Sequence, residues 1–146
     1  VLLNGEDVSG QIRTEEVGNM ASVTSAIPEV RKKLLELQQN LAKTQDVIMD
    51  GRDIGTNVLP NADVKIFLTA SAESRAKRRY DEFVAKGVAA NYDDVLRDVK
   101  ARDERDATRK DAPMKPAEDA YILDTSWMGI EDVFEKAVAI IEEKVK

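Results

Sequence analysis

The segment from residue 46 to residue 69 reads DVIMDGRDIGTNVLPNADVKIFLT and indicates the fold class. Two short apolar runs, residues 47–49 and residues 64–68, lie on either side of a charged loop that contains two glycines. Asp-Gly closes the first run, and Pro-Asn comes shortly before the second. Short apolar runs bounded by such breakers are typical of strands buried in a parallel sheet. The sequence therefore predicts two buried strands joined by a loop.

Towards the C-terminus, predicted helices alternate with a third strand-like run at residues 121–123. Ser71 is a suitable N-cap for a helix that Gly87 ends, and a second charged helix spans roughly Tyr92 to Arg109. The last segment is an amphipathic helix. Its apolar face consists of Ile130, Val133, Phe134, Ala137, Val138, Ile141 and Val145. Strands that alternate with helices predict an α/β fold with right-handed crossovers.

Towards the N-terminus, the turn pair Asn4-Gly5 predicts a hairpin between two short runs. The pattern becomes helical from about Thr14. Pro28 is placed to open a second helix, which should end before Asp46.

The composition excludes several classes of function. The 146 residues contain 22 Lys and Arg against 28 Asp and Glu, giving a net charge of −6, which disfavours a polymeric nucleic-acid partner. Without Cys or His, the chain has neither a disulfide nor a thiolate metal site, and its chemistry must use carboxylates, Lys, Arg, hydroxyls or a cofactor. No apolar stretch is long enough for a membrane span, so we expect a cytoplasmic protein with no membrane partner.

The loop at residues 50–56 is the first candidate site. It follows a predicted strand, and ligands in open α/β sheets bind beyond the carboxyl ends of strands. Arg52 could hold a phosphate through two parallel hydrogen bonds, and Asp53 could accept a hydrogen bond from an exocyclic amine. A turn with a solvated Arg-Asp pair is the alternative that the spacing leaves open.

The second candidate is the charged helix, where Arg102, Asp106 and Arg109 stand at i, i+4 and i+7 and so share one face. Asp106 could hold both arginines in place. The alternative is an exposed helix with weak surface ion pairs. The same choice between a phosphate clamp and a solvated face applies to the preceding basic helix, with Arg75, Lys77, Arg78 and Arg79.

These motifs together resemble bacterial cytidylate kinases. DGRDIGT, VKIFLTAS with its arginine-rich helix, RDERDATR and YILDTS occur here in the order of that family, and NGEDVSGQIRTEEV resembles the start of its CMP-binding insertion. The resemblance implies a P-loop nucleoside monophosphate kinase-like parallel sheet flanked by helices. Residues 1–45 would form the CMP-binding insertion and its following helix. Residues 46–146 would form the remainder of the kinase core, with the lid at about 75–110.

One motif of the family is absent from the 146 residues. A kinase of this type should carry a phosphate loop, G-x-x-x-x-G-K-[ST], whose backbone N–H groups and Lys hold nucleotide phosphates. The sequence contains no such motif. We therefore expect a chain truncated at its N-terminus, beginning at the CMP-binding insertion and inactive by itself.

The resemblance also implies roles for individual residues. The ribose of CMP would lie against Ser22 and Asp106, with Arg102 beside them, and Arg31 and Asp53 would read the cytosine edge. Arg52 and Arg109 would contact the transferred phosphate. Arg78 would act from the mobile lid on ATP, with Arg79 as its neighbour. The catalytic residues implied in this way are Arg52, Arg78 and Arg109.

The implied reaction transfers the γ-phosphoryl group of ATP, with Mg²⁺, to CMP or dCMP, in a protein that is a monomer when intact. Three alternatives remain open at this point. The chain could belong to another nucleoside monophosphate kinase, or it could be a nucleotide-binding or acidic helical interaction module without catalysis. It could also lack a stable fold, because removing a central strand exposes its apolar neighbours.

Overall fold

The computed structural model describes residues 1–25 and 27–145, apart from the side chains of Glu15 and Asn19. The described chain forms two compact units, Val1–Ile48 and Met49–Lys146. Whether the first unit is the nucleotide-binding insertion of a kinase stays a prediction.

The first unit begins with the predicted hairpin. Strand β1 (Leu2–Leu3) pairs antiparallel with β2 (Glu6–Asp7), in the register Leu2 to Asp7. The turn between them has positive φ at both central residues, 52° at Asn4 and 88° at Gly5. This is the backbone of a type I′ turn, whose twist matches that of the flanking strands.

Two helices follow a 3₁₀ turn at Gln11–Arg13. Helix α1 (Glu15–Thr24) is capped by the Thr14 side chain, which accepts a hydrogen bond from the backbone N–H of Val17. Helix α2 (Pro28–Thr44) has Pro28 in its first turn, where the missing N–H costs nothing. The predictions of a helix from about Thr14 and of a helix opened by Pro28 and ended before Asp46 are confirmed.

The second unit contains the parallel sheet. Strand β3 (Ile66–Thr69) pairs parallel with β4 (Tyr121–Asp124), Ile66 lying opposite Tyr121. Backbone hydrogen bonds extend the pairing at both ends, from Tyr121 N–H to Lys65 O at 2.9 Å and from Thr125 N–H to Thr69 O at 2.8 Å. This parallel pair, with helices between its strands, agrees with the predicted α/β class.

Two expectations about the strands are wrong. Residues 47–49 are not a strand, and Ile48 is 99% exposed. An apolar run becomes a strand only when a neighbour pairs with it, and no described residue does so here. The second predicted strand, β3, is also not fully buried, since Leu68 is 59% exposed; Ile122 on its partner β4 is exposed to the same extent. Each of these strands has a partner on one side only within the described chain.

The core of the second unit lies between α3 (Ala72–Ala85) and α4 (Tyr92–Thr108). Ala76 is fully buried against Val95 and Val99. Ser71 and Asn91 cap the two helices through their side chains, and Gly87 takes φ of 70° directly after α3. Helix α3 was predicted from Ser71 and Gly87, and α4 confirms the predicted charged helix from about Tyr92, whereas its Asn91 cap was not predicted. Helix α5 (Ile130–Val145) closes the chain as predicted, although none of its described side chains is fully buried.

Candidate functional site

The loop after residue 49 contains a turn that the sequence did not reveal. Ile54–Val58 form one π-helical turn, with Asp53 at its start. Its wide hydrogen bonds run from Val58 N–H to Asp53 O at 3.2 Å and from Leu59 N–H to Ile54 O at 2.7 Å. Single π-turns occur frequently at functional sites. Before the turn, Gly51 lies so close to Ile54 that an added Cβ would stand 2.9 Å from Ile54 Cγ1.

The carboxylate of Asp53 is buried and held from two directions. Asn57 Nδ2 donates to Asp53 Oδ2 at 3.2 Å, and Arg109 Nη2 lies 3.1 Å from Asp53 Oδ1. Arg109 is the C-cap of α4, and its Nε donates to Ala112 O at 2.6 Å. The π-turn and the end of α4 are therefore joined through an ion pair.

The carboxylate of Asp106, on α4, is also buried and makes a second ion pair between the same two segments. Arg52 Nε donates to Asp106 Oδ2 at 2.9 Å, while Arg102 Nε lies 3.9 Å from the same oxygen. The shared helix face of Arg102 and Asp106 is confirmed. The predicted pairing of Asp106 with Arg109 is not found, because α4 ends at Thr108 and Arg109 turns towards Asp53 instead.

Positive charge is in excess at this cluster, although the whole chain is acidic. Burial, and next the charge of Arg52, lowers the pKa of Arg102 from its ordinary value, with Arg79 and Arg105 acting in the same direction. Arg102 Nε is buried without a hydrogen-bond acceptor among the described residues, and Arg109 Nη2, also buried, makes no hydrogen bond there although it forms an ion pair with Asp53 at 3.1 Å. A buried N–H without an acceptor is costly, so an anion or carbonyl ligand placed here would be stabilised.

The described residues contain no group of three or more carboxylates placed to hold a metal ion. Within the same residues, no helix is long and apolar enough to cross a membrane.

Comparison with known proteins gives a consistent result. A family model described as "Cytidylate kinase" matches residues 1–143. The chain is 54% identical to the cytidylate kinase of Pasteurella multocida (strain Pm70) over 98% of its own length and 63% of the relative. It is 51% identical to the cytidylate kinase of Caldicellulosiruptor bescii over its whole length and 65% of that relative.

The chain belongs to the cytidylate kinase family. It spans less than two thirds of the length of these curated relatives. The resemblance inferred from the ordered motifs is thereby confirmed, and the family implies a phosphate-loop nucleoside monophosphate kinase fold, with which the small parallel sheet and its helices are consistent.

For this family member, the structure brings together five of the predicted site residues: Arg52, Asp53, Arg102, Asp106 and Arg109. Ser22 and Arg31 lie in the first unit, on α1 and α2, and both are partly buried. They are described with that unit alone.

Arg78 lies elsewhere in the second unit, at the carboxyl end of β4. Its guanidinium donates to Thr125 Oγ1 at 3.2 Å, to Thr125 O, and to Met128 O at 3.4 Å. Arg79 is stacked over the ring of Phe83, with its Cζ 5.5 Å from the centroid. The lid roles of Arg78 and Arg79 stay predictions.

Two contacts of the second unit were not predicted from the sequence. Arg75 forms a two-pronged ion pair with Asp103, at 2.8 and 2.6 Å, which joins α3 to α4. This pair lowers the pKa of Asp103 from its ordinary value. Asn57, the residue that holds Asp53, carried no signal beyond its position three residues before a proline.

Proposed function

We propose that this chain is part of a kinase that transfers the γ-phosphoryl group of ATP to CMP or dCMP, giving ADP and CDP or dCDP. The observation that carries the proposal is the arginine cluster at Asp53 and Asp106, where three guanidinium groups face two carboxylates and Arg102 Nε is buried without an acceptor among the described residues. In a chain of net charge −6, this local excess of positive charge suits a phosphate. Membership of the cytidylate kinase family makes a nucleoside monophosphate the natural ligand.

Asp53 reads the cytosine edge in this proposal. Asp53 accepts a hydrogen bond from the exocyclic amine of cytosine, whereas uracil presents a carbonyl there and leaves two acceptors facing each other. Discrimination of this kind relies on the cost of an unpaired buried polar group. Asp53 is only 9% exposed, which supports this assignment.

The sugar and phosphate take the remaining residues of the cluster. Asp106 binds the ribose hydroxyls with Arg102 beside it, and Arg52 and Arg109 hold the phosphate. Arg52 is already oriented by Asp106, and Arg109 by Asp53 and the carbonyl of Ala112. Because phosphoryl transfer depends mainly on positioning and charge neutralisation, such preorientation contributes directly to the rate.

ATP is the phosphoryl donor, and Arg78 and Arg79 act on it from the lid. When bound, Mg²⁺ would neutralise negative charge on the phosphates in reactions of this class. The described residues contain no group of three or more carboxylates that could hold this ion, and no residue is assigned to it here.

The 146-residue chain alone should be catalytically inactive, because it contains no phosphate-loop motif to hold ATP in line with CMP. The test compares it with a joined protein, in which this chain is linked to the part of the Pasteurella multocida relative that lies outside the match. A coupled ADP-release assay with ATP, Mg²⁺ and CMP should detect turnover by the joined protein only. Equal rates from both would contradict the proposal.

The base assignment is tested by Asp53→Ala in the joined protein. The ratio of kcat/KM for CMP to that for UMP should fall by about 5- to 150-fold, corresponding to ~1–3 kcal/mol for an unpaired buried polar group. An unchanged ratio would remove Asp53 from the base site.

A further inference from the structure

Both oxygens of the Asp53 carboxylate have a named contact inside the protein. Arg109 Nη2 lies 3.1 Å from Oδ1, and Asn57 Nδ2 donates to Oδ2 at 3.2 Å. Two contacts on different oxygens oppose rotation of the carboxylate about its terminal bond, a torsion that is otherwise broad. The plane of the Asp53 carboxylate is therefore set by Arg109 on one side and by Asn57 on the other.

The π-turn positions Asn57 next to the Asp53 carboxylate. Its backbone N–H donates to Asp53 O at 2.9 Å while its side chain returns to the Asp53 carboxylate. Thr56 also contributes a side-chain hydrogen bond, but to the backbone oxygen of Asp53, at 3.4 Å. The turn thus contains one side chain that contacts the carboxylate and one that contacts only the main chain.

The side chain of Lys65 packs against the π-turn and is itself held in place. Lys65 is bound by both oxygens of Asp119, at 2.9 and 2.8 Å, and also donates to Pro60 O. Its side chain is 8% exposed, and its stem passes so close to Gly55 that an added Cβ would stand 3.3 Å from Lys65 Cδ. This packing restrains the backbone of the π-turn that contains Asn57.

We propose that Asn57 is a positioning residue for base selection, holding the Asp53 carboxylate so that it accepts from the amine of cytosine and repels the carbonyl of uracil. The proposal rests on the proposed function. A carboxylate free to rotate could turn its lone pairs away from the uracil carbonyl, and the cost that excludes UMP would fall. Asn57 therefore acts through Asp53 and affects the choice of base more than the rate with CMP.

The test is Asn57→Leu in the joined protein, which keeps the approximate side-chain size and removes the donor. We expect the CMP-to-UMP ratio of kcat/KM to fall about three- to tenfold, the range for one hydrogen bond of ~0.7–1.4 kcal/mol. The change should come mainly from a higher kcat/KM for UMP, with the KM for ATP unaltered. Asn57→Asp, which has the same shape but no donor when ionised, should lower the ratio at least as much.

Thr56→Val is the matched control, because it removes a hydrogen bond of the same π-turn without touching the carboxylate. The CMP-to-UMP ratio of kcat/KM for Thr56→Val should stay within about twofold of the parent value. Its thermal midpoint should be similar to that of Asn57→Leu. If both variants lower the ratio equally, the effect is general loosening of the turn and the proposal is wrong.

A double-mutant cycle separates this inference from the proposed function. In the Asp53→Ala background, Asn57→Leu should change the ratio no further. If Asp53→Ala lowers the ratio and Asn57→Leu alone does not, the positioning role is refuted while the base assignment stands. If Asp53→Ala itself leaves the ratio unchanged, the assignment of Asp53 to the base fails first, and the positioning role fails with it.

Discussion

Two groups of arginines in the second unit differ in how their donors are used. The strand-end arginines, Arg75 and Arg78, direct their guanidinium groups to protein acceptors at the ends of β3 and β4 and on α4. The loop–helix arginines, Arg52, Arg102 and Arg109, surround Asp53 and Asp106. Of these three, Arg102 keeps a buried Nε–H without an acceptor in the described chain.

The difference distinguishes Arg75, whose donors serve the fold, from the arginines that suit a ligand. Arg75 donates to Asp103 through two nitrogens and to Ala70 O at 3.0 Å, so its hydrogen bonds fasten α3 to α4 and to the end of β3. In the loop–helix group each carboxylate orients an arginine without using all of its donors. We therefore expect substitution of Arg75 to affect stability and substitutions in the second group to affect catalysis.

The largest expected effect is that of Arg109→Ala on turnover by the joined protein. Loss of a preoriented cation at the transferred phosphate should lower kcat about 10²- to 10³-fold, as for other groups that stabilise transition-state charge. Arg75→Ala, the matched control, should change kcat by less than about threefold under conditions where both proteins are folded. Equal losses of kcat would abolish the distinction between the two groups.

Asp106→Ala should act on CMP binding. Removing this carboxylate takes away the partner of Arg52 and the proposed acceptor for ribose hydroxyls, so the KM for CMP should rise about tenfold while the KM for ATP changes little. Steady-state kinetics with each substrate varied in turn provides the measurement. A parallel rise in both KM values would instead indicate a defect in folding.

Arg75→Met should lower the stability of the folded protein. The pair with Asp103 is two-pronged but partly exposed, with about a third of each side chain accessible, so a loss of about 1–2 kcal/mol is expected. At this chain length, that corresponds to a decrease of about 2–6 °C in the thermal midpoint. Lys77→Met, which breaks the exposed pair with Asp81 on α3, is the control and should cost less than about 0.5 kcal/mol. Similar decreases in the thermal midpoint of both variants would show that the Arg75–Asp103 pair stabilises the fold no more than an exposed ion pair does.

The smallest effect is a pH dependence of that same pair. The hydrogen bonds from Arg75 lower the pKa of Asp103 below its ordinary value of 3.8. A depressed folded-state pKa contributes stability that is present above the unfolded pKa and is lost as pH falls through the folded one. The difference in thermal midpoint between the parent protein and Arg75→Met should therefore be constant above about pH 5 and shrink below about pH 4. A difference that is unchanged at pH 3 would mean that the ionised Asp103 carboxylate is not its source.

Local signals in the sequence suffice to predict most of the hairpin, caps and helix starts of this protein. The turn at Asn4-Gly5, the caps at Thr14 and Ser71, and the opening of α2 at Pro28 all depend on backbone preferences or on hydrogen bonds that span a few residues. Such turns and caps involve only residues that are close in the sequence, so the sequence is enough to predict them. The ordered motifs also sufficed to identify the family.

The partners of the buried carboxylates depend on the tertiary structure. Asp106 pairs with Arg52, 54 residues away, and Asp53 pairs with Arg109, while residues 47–49 have no strand partner in the described chain and so are not a strand. An i, i+4 pattern shows that two side chains can meet on one helix, but it cannot show a competing partner from a distant loop. Strand pairing and buried ion pairs depend on groups that are brought close only when the chain is folded, and no local pattern in the sequence encodes that distance.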